Sequence, residues 1–232
     1  VLFRSIDPLK EIGIIATQEN LWFHIDAAYG VAAAFQSAKK GLLQGIEKSQ
    51  SITFDLHKWF SLPMATSVFL TSKPEILHQS FRTTTEYMPK EADVLAVTDP
   101  YGHSIQWSRR FIGLKAYLSI LIFGWDGYDK TIQHQMEMGD TLRKMLSQHH
   151  WEIKNSSELP VICFTDPKLG DDPNFATYVC DQIVKAGEAW LSVYPVNGKS
   201  CLRACITNYA TQEAHVEKLI LLLNKYRAAF AK

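Results

Sequence analysis

The chain has 232 residues, 24 basic side chains against 24 acidic ones, and a composition 47% hydrophobic and 21% charged. That balance leaves no net field to gather along nucleic acid or an anionic membrane, and the apolar content excludes a disordered chain. No run approaches the roughly 20 apolar residues needed to span a bilayer, and residues 1–15 lack a basic start followed by an apolar stretch, so no membrane span or secretory leader is expected. A cytoplasmic globular protein acting on a small molecule is the expectation that remains.

In chain order, Asp7-Pro8 predicts a helix start, with the carboxylate accepting from open N–H groups and the proline at the first helical position. The helix runs to about Gln18. Residues 21–26, 51–55 and 66–70 read as short buried strands separated by helical and loop segments, the pattern of an α/β sheet. Residues 90–104 are polar, carry Pro100 and Gly102, and read as a surface loop.

Residues 106–147 have a helical pattern broken near Gly124 and Gly127, and form a connection to a second domain. There, residues 151–153, 159–164, 191–196 and 202–207 are strand candidates, with a helix over 173–186. Thr211 is placed to cap a last helix whose Val216, Leu219, Ile220, Leu223, Tyr226 and Phe230 share one face. The division is 1–112 for part of a large sheet domain and 113–232 for the helical connection and a small α+β domain. Cys163, Cys180, Cys201 and Cys205 show no CxxC spacing and no nearby His pair suited to zinc, and read as buried thiols in a reducing compartment.

Two segments carry chemistry. In residues 21–30, side-chain alternation along a strand turns His24, Asp26 and Ala28 the same way if the extended backbone persists to position 28. An acid beside a methyl-sized side chain at the carboxyl end of a strand stands where open α/β sheets bind ligands. Such an acid can keep a pyridinium nitrogen protonated, and alanine leaves room for a flat ring. An isolated Asp in this position more often caps the following turn. In residues 51–59 a second strand runs directly into His57-Lys58, delivering a lysine near the same sheet edge. A lysine can form an imine with an aldehyde cofactor, although most lysines are solvated surface cations.

The run His24-Ile-Asp-Ala-Ala-Tyr-Gly30, followed by His57-Lys58-Trp59, resembles the cofactor core of the group II pyridoxal-phosphate decarboxylases. That family includes aromatic-amino-acid, glutamate, histidine and diaminobutyrate decarboxylases. The likeness continues through Gln106-Trp-Ser-Arg-Arg-Phe-Ile-Gly-Leu-Lys115 and Leu202-Arg-Ala-Cys-Ile-Thr-Asn208. It implies an α/β, fold-type-I PLP-dependent transferase-like architecture, the cofactor pyridoxal 5'-phosphate, an amino-acid substrate losing its α-carboxyl, and a homodimer.

By the same resemblance Lys58 is the Schiff-base lysine, Asp26 the partner of the pyridine nitrogen, Ala28 the residue packed against the ring, and His57 a neighbour of the phosphate. Tyr87 matches a tyrosine of a closing loop that acts as an acid, and its bland alternative is a surface tyrosine. Arg203 matches an arginine that binds a substrate carboxylate in the glutamate branch and holds the small domain in others. Asp55 departs from the Asn of several members, and its role is open. His24 reads equally well as a structural histidine, and Arg109 and Arg110 as structural or interdomain residues.

Rival readings are another fold-type-I activity, such as an aminotransferase or carbon–carbon lyase, and a catalytically silent structural chain. The family's upstream half, which carries the phosphate-binding loop and the group that stacks on the ring, has no counterpart in these 232 residues. Residues 1–5 fall outside the likeness and read as a junction. The chain alone is therefore expected to be inactive or poorly folded.

Overall fold

Helix α1, Leu9–Gln18, buries Leu9, Gly13 and Ala16 on one face, the spacing of successive helical turns. It belongs to a computed structural model that describes residues 6–82 and 100–231. The helix starts one residue later than expected. Pro8 is its cap rather than its first residue, no side chain caps it, and the Asp7 backbone carbonyl accepts the Leu9 amide at 2.7 Å.

Three strands form the first sheet in the order β1-β2-β3: β1 His24–Asp26, β2 Ser51–Asp55 and β3 Ser67–Thr71. β1 and β2 are parallel, with Asp26 opposite Thr53, while β3 runs antiparallel to β2 with Ser67 opposite Asp55. β1 is shorter than the expected strand. Leu21 and Trp22 are exposed and bury no face that would hold them extended.

A parallel pair needs a crossover. Here three 3₁₀ turns supply it: Gly30–Phe35, Ser37–Leu43 and Ile46–Lys48. Gly45 enters the third turn at φ 101°, and a Cβ there would lie 2.4 Å from the Lys10 nitrogen and 2.6 Å from the Leu9 carbonyl carbon. Only glycine allows both that backbone and that approach to α1. After β3 comes α2, Pro74–Phe81, with proline in its first turn where the missing N–H is not needed.

Helix α3 runs from Gly113 to Gln148, and Gly124 interrupts it at φ 63°, ψ −175°. The expected break is present, but the expected start at residue 106 is not. Residues 105–111 are all exposed, so no buried stripe stabilises helix there. Beyond the break, Tyr128, Ile132, Gln135, Met136, Gly139, Leu142 and Leu146 form a continuous buried stripe. Tyr128, Ile132 and Met136 join the core beneath the first sheet, and Leu142 and Leu146 join the core of the second.

The second sheet is antiparallel, in the order β4-β5-β7-β6: β4 Glu152–Ile153, β5 Val161–Thr165, β6 Ser192–Val196 and β7 Lys199–Cys205. Helices α4, Phe175–Lys185, and α5, Glu213–Phe230, cover one face with the end of α3. β7 begins three residues before its expected start, because Asn197 at φ 50° and Gly198 at φ 79° close a two-residue hairpin. Asn-Gly is the strongest short hairpin signal, and it was legible in the chain. The predicted face of α5 is observed, but Gln212 and His215, not Thr211, make its capping box. Among the described residues no helix is long and apolar enough to cross a membrane.

Candidate functional site

The turn that follows β2 is held by its apolar members. Leu56, Trp59, Phe60 and Leu62 are all buried, and the Leu56 and His57 amides donate to the Thr66 carbonyl at 2.9 and 3.2 Å. With those four turned inward, His57 and Lys58 are left half-buried on the outer side. The turn after β1 is built in the same way: Ala27 and Tyr29 are buried, while Asp26 and Ala28 face outward.

The two turns border one cavity of about 580 Å³, lined among others by His24, Asp26, Ala28, Lys58, Trp22 and Ile46. Its size falls in the range of small-molecule sites. Asp26 Oδ1 accepts the Ala28 amide at 3.0 Å, so the acid caps its turn and also faces the cavity. No partner is recorded for its second oxygen among the described residues. Lys58 Nζ lies 2.8 Å from Asp55 Oδ2, whose other oxygen accepts the Ser67 hydroxyl at 2.5 Å. Burial alone would raise the Asp55 carboxyl. The hydrogen bonds from Lys58 and Ser67, with the charges of Lys58 and His57, outweigh burial and hold it below the ordinary carboxylate value.

His57 does not line the cavity. Its Nδ1 is 3.2 Å from the Thr66 carbonyl and its Nε2 3.8 Å from Asp55. His24 does line it, but both ring nitrogens have hydroxyl neighbours, Ser51 at 2.8 Å and Thr53 at 3.4 Å, and the ring stacks near Phe69. That is the pattern of a satisfied structural histidine. Arg203 stands in the second sheet, donating to Ser192 at 3.2 Å beside the Tyr194 ring, with its Nε buried and unpartnered. It does not border the cavity that Lys58 and Asp26 share. Arg109 and Arg110 are exposed, and Tyr87 lies outside the described residues.

Two participants escaped sequence reasoning. Asp55 had no role until its contact with Lys58 was seen. Gln135 is fully buried and donates from Nε2 to the carbonyls of Trp59 and Thr207. A polar residue inside the apolar stripe of α3 was the signal for it. Among the described residues no His, Cys, Asp and Glu side chains cluster as a metal site requires. None of the four cysteines is in a disulfide, and Cys205 is half-buried rather than buried as expected.

Comparison with known proteins gives concordant matches. Tryptophan decarboxylase 2 of Oryza sativa subsp. japonica is 28% identical over 227 residues, covering 94% of this chain and 45% of that protein. Histidine decarboxylase of Mus musculus is 29% identical over 213 residues, covering 91% of this chain and 32% of that protein. The chain thus spans about half the length, or less, of the curated relatives it matches. Among solved structures, Oryza sativa TDC with PLP and tryptamine superposes with a TM-score of 0.88 at 22% identity, over 98% of this chain and 48% of that one. Mouse CSAD in apo form gives 0.84 at 21%, over 97% and 50%. These likenesses show the fold, the fold-type-I α/β architecture expected from the sequence. The family described as pyridoxal-dependent decarboxylase conserved domain matches residues 3–166, so its likeness reaches into the first five residues that sequence reading set apart. Matched over that span, the chain belongs to the pyridoxal-dependent decarboxylase family.

Proposed function

We propose that the protein to which these residues belong is a pyridoxal-phosphate-dependent carboxy-lyase that removes the α-carboxyl of an L-amino acid, releasing an amine and carbon dioxide. The observation that carries this reading is the shared cavity at the carboxyl end of the parallel pair, with Lys58, Asp26 and Ala28 on its wall. The family match and the decarboxylases among the relatives support it.

The residues fit the cofactor. Lys58 supplies an amine for its aldehyde, Asp26 keeps one carboxylate oxygen for a ring N–H, and half-buried Ala28 is small enough for a flat ring to approach. When bound, pyridoxal phosphate supplies an aldehyde that captures amines and a cationic ring that withdraws electrons from a breaking bond. Asp26 would hold a proton on that ring. Asp55, 2.8 Å from Nζ, would accept a hydrogen bond from the Lys58 amino group and so orient it in the cavity.

By the sequence resemblance, Tyr87 delivers the proton that replaces the lost carboxyl, His57 stands near the phosphate, and Arg203 contacts the substrate. The same resemblance assigns residues 1–112 to the large domain, residues 113–232 to the connection and small domain, and the parent protein to a homodimer; the composition and the lack of an apolar leader in these residues favour a cytoplasmic address.

The test is to reduce the complete protein with borohydride in the presence of pyridoxal phosphate and map the modified residue by mass spectrometry, then to assay a panel of amino acids for carbon dioxide. Label at Lys58 and gas release are expected. Label at another lysine, or amino transfer to a keto acid without gas, overturns the reading.

A further inference from the structure

Gln135 is 0% exposed on the stripe of α3 that faces both cores. Its Nε2 donates to the Thr207 carbonyl at 2.8 Å and to the Trp59 carbonyl at 3.3 Å. Neither carbonyl accepts a backbone N–H among the described residues, so one carboxamide, with its two N–H groups, serves two acceptors that the backbone leaves open. Trp59 directly follows Lys58. Its 1% exposed indole meets Tyr29 edge-on at 5.0 Å, and Tyr29 directly follows Ala28. The Tyr29 hydroxyl reaches the Pro160 carbonyl at 3.4 Å, just before β5. Both turns that border the cavity therefore lean on one tryptophan, whose backbone Gln135 holds to the end of the second sheet's β7 strand.

Packing volume alone does not call for a glutamine here. Its neighbours on the stripe are Ile132, Met136 and Leu142, and a methionine would fill about the same volume but would leave the Trp59 and Thr207 carbonyls without this donor. Among the described residues, the arrangement leaves Gln135 Oε1 and Trp59 Nε1 buried with no partner, a cost that a core optimised for packing avoids. What the amide supplies instead is a fixed position for the residue next to Lys58.

Resting on the assignment of Lys58 as the cofactor lysine, we propose that Gln135 is a positioning residue: it holds Trp59 so that Lys58 faces Asp26 across the cavity, and it links that alignment to Thr207 of the small domain. It touches no reacting atom. Its effect on chemistry is through the direction of Lys58.

The test uses the complete protein loaded with pyridoxal phosphate, the variant Gln135→Met, and Leu142→Ala as a control that opens a cavity in the second core without touching either turn. Misplacement of a reacting group by about 1 Å can cost up to about a hundredfold, so Gln135→Met is expected to slow borohydride trapping at Lys58, and kcat with it, by about tenfold or more. KM for the amino acid is expected to stay within about twofold. Amide exchange of residues 56–62 is expected to rise. Leu142→Ala, although less stable, is expected to leave the trapping rate and that exchange unchanged at temperatures where it is folded.

Gln135→Asn, too short to serve both carbonyls at once, reads the same point if the methionine variant does not fold. Trapping and exchange at wild-type levels in Gln135→Met or Gln135→Asn would overturn the proposal, as would equal slowing in Leu142→Ala. Absence of label at Lys58 in the unaltered protein would instead overturn the functional reading on which it rests.

Discussion

The first sheet has three strands, one of only three residues, and carries the groups able to do chemistry on its exposed edge, while the second has four strands and a closed core. β5 is buried at every position, and Trp151, Phe164, Phe175 and Phe230 contact one another ring to ring around it. Around the first sheet, by contrast, the crossover is made of 3₁₀ turns, and Asp26 is exposed at a cavity mouth. One region is built to present groups and the other to hold shape. Substitutions should therefore separate activity from stability along the same boundary.

The hardest test of that separation is Lys58→Ala. Turnover and reductive labelling are expected to fall to background, because among the described residues no other side chain on the cavity wall is a lysine. Stability should move little, since the half-buried ion pair with Asp55 contributes on the order of 1 kcal/mol or less. The opposite break is Phe164→Ala. Phe164 is 0% exposed between two cross-strand neighbours and Trp151, and its truncation is expected to cost about 3–5 kcal/mol in denaturant unfolding. If Phe164→Ala lowered kcat more than stability, the two regions would not be separable in this way.

A smaller effect tests the boundary from the side of charge. The folded carboxyl of Asp55 titrates below its ordinary value of 3.8, so its stabilising contribution is fully present above that value and is lost as pH falls through the lower folded one. Asp55→Asn is expected to reduce stability near neutral pH by about 1 kcal/mol, and the difference from the unaltered protein should shrink below pH 3.8. Unfolding curves at several pH values measure this. A difference that grew on acidification would contradict the ion pair.

Much of this division was legible in the chain. Alternation put Asp26 and Ala28 on one side only if the strand ran on to position 28; the strand ends at Asp26, and the turn in which Asp26 accepts the Ala28 amide is what brings Ala28 to the cavity, beside the Lys58 that residues 51–58 deliver. The helical stripe of α5 was readable because its period is regular over 18 residues. What pattern could not supply were contacts made by residues distant in sequence. Gln135 meets Trp59 and Thr207, each more than 70 residues away, and its place in the apolar stripe of α3 marks it as buried without naming those partners. Residues 106–111 fit the helical pattern, whereas the absence of anything to pack against is a tertiary fact. The β7 start was missed for a different reason, since its Asn-Gly turn was present and unread.

The smallest expected effect sharpens the comparison through the reactivity of the cysteines. Burial pushes the Cys163 thiol up to about 11, only partly offset by the nearby Arg203 charge. At pH 8 the thiol is then almost wholly protonated, and the side chain is 0% exposed, so iodoacetamide should leave Cys163 unmodified while half-buried Cys205 reacts first. Labelling of Cys163 requires opening of the cluster that covers it, since its side chain packs with Val196, Cys201 and Tyr194 of β6 and β7. If that region opens only as a unit, Phe164→Ala should speed Cys163 labelling by the same factor by which it lowers global stability, and Lys58→Ala should leave the rate untouched. Peptide mapping after timed alkylation measures both. Rapid labelling of Cys163 in the unaltered protein would mean that the second sheet opens locally, and that shape is held less tightly there than its packing implies.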